Sequence, residues 1–120
     1  MLRKKWMNEN IIKTKEGLLA PVSYITASEK RKKKIFNGCG PEGFLERIIP
    51  DNILGTSVSS SCSIHDWMFH YSKTQNDREI ADKAFKVNIY IQLNKKSNIF
   101  KKLVANIYYF AVRLYSKFKS

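Results

Sequence analysis

Two apolar helical stretches are separated by the short polar link Lys73–Asn76, and this link constrains the chain more than any other feature. A connection that short obliges the two helices to lie side by side and antiparallel. The first stretch reads as a helix from about Ser61 to Ser72, with Ser59 or Ser60 as its cap and Cys62, Ile64, Trp67, Met68 and Phe69 as its apolar residues. The second reads as a helix from about Asp77 to Leu93. Ile80, Ala84, Val87 and Ile91 form its stripe, and Ala81, Phe85 and Ile89 broaden it. Asn76 with Glu79 resembles a capping signature at its start.

The first helix carries the chemistry. Cys62 stands three residues before the adjacent pair His65-Asp66. An imidazole is a general base near neutral pH, and a carboxylate is a hard oxygen donor suited to calcium. Neighbours on a helix point about 100° apart, so the two serve different tasks. Asp82 lies six residues past Asn76, and His65 eight before Lys73. At about 1.5 Å per residue they stand at similar heights on the antiparallel pair. Asp82 is therefore expected to reach His65, hold its tautomer and leave the other ring nitrogen free as a base. The competing reading of Asp82 is a solvent-facing helix carboxylate.

Charge points to the partner. The formal net charge is +12 and the pI about 9.8, a field that favours anionic partners such as a lipid surface, nucleic acid or an acidic protein. Lys30, Arg31, Lys32, Lys33 and Lys34 form a continuous cationic block, read either as a solvated linker or as a phosphate contact. Past Asn98, Phe100, Leu103, Val104, Ile107, Ala111, Leu114 and Phe118 recur at helical spacing, with Lys101, Lys102, Arg113, Lys117 and Lys119 at other positions. A basic amphipathic helix of this kind suits a membrane surface. It also suits a third helix that covers the core with its apolar face, and one helix can do both.

The rest of the chain is less specific. Residues 1–34 read as a basic N-terminal arm, loosely held because Gly17 and Pro21 interrupt any long helix. Residues 35–93 read as the core and 94–120 as the terminal helix, all in one domain of all-α class. No apolar run near Met1 is long enough for a signal-peptide core, and no uncharged run is long enough to span a bilayer. The segment Gly38-Cys39-Gly40-Pro41-Glu42-Gly43 is a loop that can aim carbonyls at a cation or N–H groups at an anion.

Taken together, Cys39-Gly40-Pro41-Glu42-Gly43, Cys62-Ser63-Ile64-His65-Asp66 and Asp77 through Phe85 resemble the secreted phospholipase A2 superfamily in a reduced bacterial or phage-like form. The resemblance covers roughly Gly38 to Ile91. It implies a core of two antiparallel helices preceded by a glycine-rich calcium loop, and a calcium-dependent hydrolase of phospholipid sn-2 esters. His65 would take a proton from the attacking water, and Asp82 would orient the ring. Asp66 and the carbonyls of Gly38, Gly40 and Glu42 would bind calcium, and the Gly40 N–H would face the oxyanion. Cys39 and Cys62, the only cysteines present, would pair. A bridge closing 23 residues contributes about 3 kcal/mol.

Phe69 stands where the family usually has a tyrosine that donates to the aspartate; Tyr71 is the hydroxyl that can take over. The resemblance also implies secretion or delivery to an anionic membrane surface, touched by Lys30–Lys34, Lys101, Lys102, Arg113 and Lys117, with no specific nucleic acid as partner. Three other readings are a non-catalytic membrane-binding or membrane-disrupting module of the same kind, a zinc site from Cys39, Cys62 and His65 with His70 or Asp66 as fourth ligand, and nucleic-acid binding by the basic block.

Overall fold

A computed structural model of the chain describes residues 5–6, 9–36 and 52–118. Its described elements run β1 (Lys5–Trp6), β2 (Glu9–Lys13), β3 (Leu19–Pro21), α1 (Val22–Thr26), α2 (Glu29–Ile35), β4 (Asn52–Ile53), β5 (Thr56–Ser57), α3 (Ser59–His70), α4 (Gln75–Gln92) and α5 (Asn98–Phe118). The segment from Gly38 to Gly43, with Cys39, Gly40 and Glu42, lies outside the described residues.

The all-α expectation is corrected by two small antiparallel sheets, one of order β1-β2-β3 and one of β4-β5. Strand β2 pairs with β3 in the register Ile11↔Pro21, Ile12↔Ala20 and Lys13↔Leu19. Gly17, at a φ of 83°, turns the chain between them, where Thr14 O accepts the Gly17 N–H at 2.9 Å. The segment read as a loose arm is thus a packed element. Ile11, Leu18, Leu19 and Ala20 are buried against Ile64 and Met68 of α3 and Ala81 and Ala84 of α4.

One side chain ties this sheet to the helices. Asn88 Oδ1 accepts the Leu19 N–H at 2.7 Å, and Asn88 Nδ2 donates to Leu19 O at 2.9 Å. A buried amide thereby satisfies both backbone groups of Leu19, which would otherwise lack water.

The cationic block is helical, not a linker. Ser28 Oγ accepts the Arg31 N–H at 3.2 Å and caps α2. In the β4-β5 hairpin, Leu54 and Gly55 both have positive φ, 48° and 87°. Two left-handed residues between paired strands are what a type I′ turn demands. Leucine is an uncommon choice there, and its side chain is 74% exposed.

Helix α4 is the centre of the molecule and packs on both α3 and α5. Its buried stripe is Ala81, Asp82, Ala84, Phe85, Asn88 and Ile89, while Val87 is exposed. It begins two residues before the expected start. Thr74 Oγ1 accepts the Asp77 N–H at 3.0 Å and Asp77 Oδ2 accepts the Lys73 N–H at 3.1 Å, a reciprocal cap displaced from Asn76 and Glu79. Helix α3 begins at Ser59 without a side-chain cap on its N-cap residue, Val58. Instead Gln92 Oε1, from the far end of α4, accepts the Ser61 N–H at 3.1 Å. The antiparallel neighbour supplies the partner that a local serine was expected to supply.

Helix α5 has apolar residues on two faces. Val104, Ala105, Tyr108, Ala111 and Val112 are buried and join Phe85, Ile89 and Leu93 in one cluster. Ile99, Leu103, Ile107, Phe110 and Leu114 are exposed. No helix among the described residues is long and apolar enough to cross a membrane.

Candidate functional site

The expected pair meets. His65 Nε2 lies 2.7 Å from Asp82 Oδ1, with the histidine 3% and the aspartate 0% exposed. Antiparallel packing of α3 and α4 brings the two to the same height, as the short link requires. An ionised carboxylate only accepts hydrogen bonds, so an ionised Asp82 requires the proton on Nε2. The neutral ring then carries its free lone pair on Nδ1. Phe85 and Phe69 hold the imidazole plane, with ring centroids 4.6 and 5.7 Å away.

The second oxygen of Asp82 is served from a different element. Ser116 Oγ donates to Asp82 Oδ2 at 2.6 Å, and Arg113 Nη1 donates to the same oxygen at 3.0 Å. A fully buried carboxylate needs such partners, because an unpaired one costs several kcal/mol. Spacing groups Arg113 with the lipid-facing cations. Its guanidinium instead turns inward to an ion pair with its side chain 20% exposed.

Tyr71 does not take over from the missing tyrosine. Its hydroxyl accepts from Arg31 Nη2, away from Asp82. Phe69 packs on Tyr115 at a centroid distance of 5.5 Å. Two α5 residues therefore do what the resemblance assigned to α3. The signal was present in the phase of α5: Val104, Tyr108, Val112 and Ser116 recur every fourth residue, which puts a serine on a buried row.

Asp66, next to His65, is buried as well. Cys62 is 1% exposed. Among the described residues, no three His, Cys, Asp or Glu side chains gather into a metal cage. A calcium site on Asp66 would take its other ligands from main-chain carbonyls. Those assigned by resemblance, at Gly38, Gly40 and Glu42, lie outside the described residues, as does Cys39.

Lys30, Arg31, Lys33 and Lys34 are exposed on α2, and Lys102 and Lys117 on α5. Lys32 is half-buried, 4.4 Å above the Tyr24 ring. Lys101 is also half-buried, 4.5 Å above the Tyr90 ring. Compared with known proteins, the chain matches no family model, no curated protein and no solved structure.

Proposed function

We propose that this protein is a calcium-dependent, phospholipase A2-like hydrolase of phospholipid sn-2 esters at an anionic membrane surface. The observation that carries the proposal is the buried hydrogen bond between His65 and Asp82, on adjacent helices and beside Asp66 in sequence. With Nε2–H on Asp82, Nδ1 takes the proton of a water attacking the ester carbonyl. Asp82 stabilises the imidazolium that forms, and Ser116 and Arg113 keep its carboxylate in place. His65 then returns the proton to the departing glycerol oxygen. When bound, calcium supplies a Lewis acid for the ester carbonyl. Asp66 with the Gly38, Gly40 and Glu42 carbonyls is the proposed ligand set, and the Gly40 N–H the second donor to the oxyanion. A Cys39–Cys62 bridge would fasten that loop to α3.

The outer face of α5 supports a seat on lipid. Ile99, Leu103, Ile107, Phe110 and Leu114 are all exposed. Their spacing lays them along one side of the helix for about 22 Å at 1.5 Å per residue. Lys102 and Lys117 flank the stripe and suit anionic head groups.

A second reading, membrane binding without turnover, draws on the same stripe and on Arg113. A guanidinium beside Asp82 shares the negative charge that an imidazolium would use. Fatty-acid release from vesicles, with calcium and with a chelator, separates the two readings. Turnover that needs calcium selects the hydrolase, and vesicle binding without turnover selects the module.

A further inference from the structure

The cationic block divides into two sets once α2 is placed. Lys32 turns towards Tyr24 and lies 3.4 Å from Glu29. Lys30, Arg31 and Lys34 instead line a cleft of about 700 Å³, closed on its other side by His70 and Tyr71 at the end of α3. Ser28 and Ile35 complete the described lining, and none of the described lining residues is acidic.

Arg31 is held ready in this cleft. Its Cζ lies 5.7 Å from the centroids of both Trp67 and Tyr71, and Nη2 donates to the Tyr71 hydroxyl. Trp67 is itself fixed, since its Nε1–H donates to Ser23 Oγ at 3.0 Å and its ring meets Tyr24 edge-on. A guanidinium stacked in this way keeps its planar fork pre-oriented and loses little freedom when a ligand arrives. Ser28 Oγ accepts the Arg31 N–H, so its own proton remains for a ligand oxygen. Three like charges around one concavity repel one another, and an anion between them relieves that repulsion.

We propose that this cleft is a phosphate-binding site. Arg31 is the bidentate anchor, Lys30 and Lys34 are point charges, and His70 and Ser28 add polar contacts. The ligand chemistry is a tetrahedral phosphoryl oxyanion, carried either by a lipid head group or by a small soluble phosphate. The site asks nothing of His65 or of calcium, so it stands whether or not the chain hydrolyses lipid.

The test titrates the full chain with inorganic phosphate and, separately, with phosphatidylcholine vesicles with and without phosphatidic acid. A chelator is present throughout to suppress calcium-dependent turnover. Arg31→Gln and Lys34→Gln are compared with Lys33→Gln, which removes one charge from the same helix outside the cleft, after thermal melting shows that each is folded. Arg31→Lys, which keeps the charge and loses the fork, replaces Arg31→Gln if that variant melts early.

Weakening of about tenfold in the Arg31 and Lys34 variants, with Lys33→Gln close to wild type, is the expected result. Such a loss with phosphate and vesicles together supports a site for the phosphate group itself. The same loss with vesicles alone supports it with the head group as source. Equal loss in all three variants, or no binding of either probe by the wild-type chain, overturns it.

Discussion

Ser116 Oγ donates to Asp82 Oδ2 at 2.6 Å, from a helix that begins sixteen residues after Asp82 and reaches back to the centre of the molecule. Asp82 thereby has His65 on one oxygen, with Ser116 and Arg113 on the other. The terminal helix is thus part of the candidate site as well as a cover for the core. Ser116→Ala removes one donor and leaves Arg113 in place. Under the proposed mechanism turnover is expected to fall about tenfold with little change in KM, because the lost bond would act through Asp82 on an imidazolium formed only in the transition state. Steady-state hydrolysis of a short-chain phospholipid checks the split, and an unchanged kcat removes Ser116 from this role.

Arg113→Met should reveal a structural role for the ion pair. It leaves a carboxylate of zero exposure with one charged partner fewer. The arginine side chain is only partly buried, so the expected loss is about 2 kcal/mol, below the range for breaking a wholly buried pair. Urea unfolding measures it directly, and a variant as stable as wild type contradicts the contact.

The N-terminal sheet is expected to be integral to the fold. Asn88→Leu keeps the branched outline of the side chain and strips both hydrogen bonds from the Leu19 backbone. Two buried groups left without partners should cost about 2–4 kcal/mol. Amide exchange at Leu19 should rise in parallel. Stability within about 0.5 kcal/mol of wild type would show that the sheet is dispensable.

How much of this was legible in the chain depends on distance along it. His65 and Asp82 are 17 residues apart across one short link, so counting the helical rise places them together. Residues 9–21 carry no such local instruction. Leu18, Leu19, Ala20 and Pro21 are all buried, so the expected alternation of a strand is missing, and the anchor is Asn88, 69 residues away. For a related reason the ion pair of Arg113 is not legible in the chain. Spacing sets the arginine among cations on an exposed face, and only the packing of α5 on α4 shows that a buried carboxylate waits opposite. The shifted cap at Thr74 reflects competition between neighbouring polar residues, which composition cannot rank.

Leu54 offers a gain instead of a loss. Its φ of 48° is costly for a branched residue and its side chain lies mostly in water. Leu54→Asn should raise stability by up to about 1 kcal/mol, since asparagine tolerates the left-handed region and suits the first central position of this turn. A thermal melt tests it, and a fall in the midpoint contradicts the turn geometry.

The two faces of α5 predict opposite phenotypes. Leu103→Glu and Phe110→Glu alter exposed positions and should leave the midpoint of unfolding nearly unchanged while weakening binding to anionic vesicles. Truncation after Asn98 removes Val104, Ala105, Tyr108, Ala111 and Val112 from the core and should unfold the chain. Vesicle co-sedimentation and circular dichroism read the two outcomes. Full vesicle binding by both point variants removes the outer stripe from the membrane seat.

The most direct measurement is fatty-acid release from anionic phospholipid vesicles by the wild-type chain and by His65→Gln, each with calcium and with a chelator. Release by the wild type that is lost with the chelator and lost in the variant, while the variant remains folded and still binds vesicles, is the predicted result. Release that persists in His65→Gln, or no release by folded wild-type protein in calcium, contradicts a lipolytic centre at His65 and Asp82.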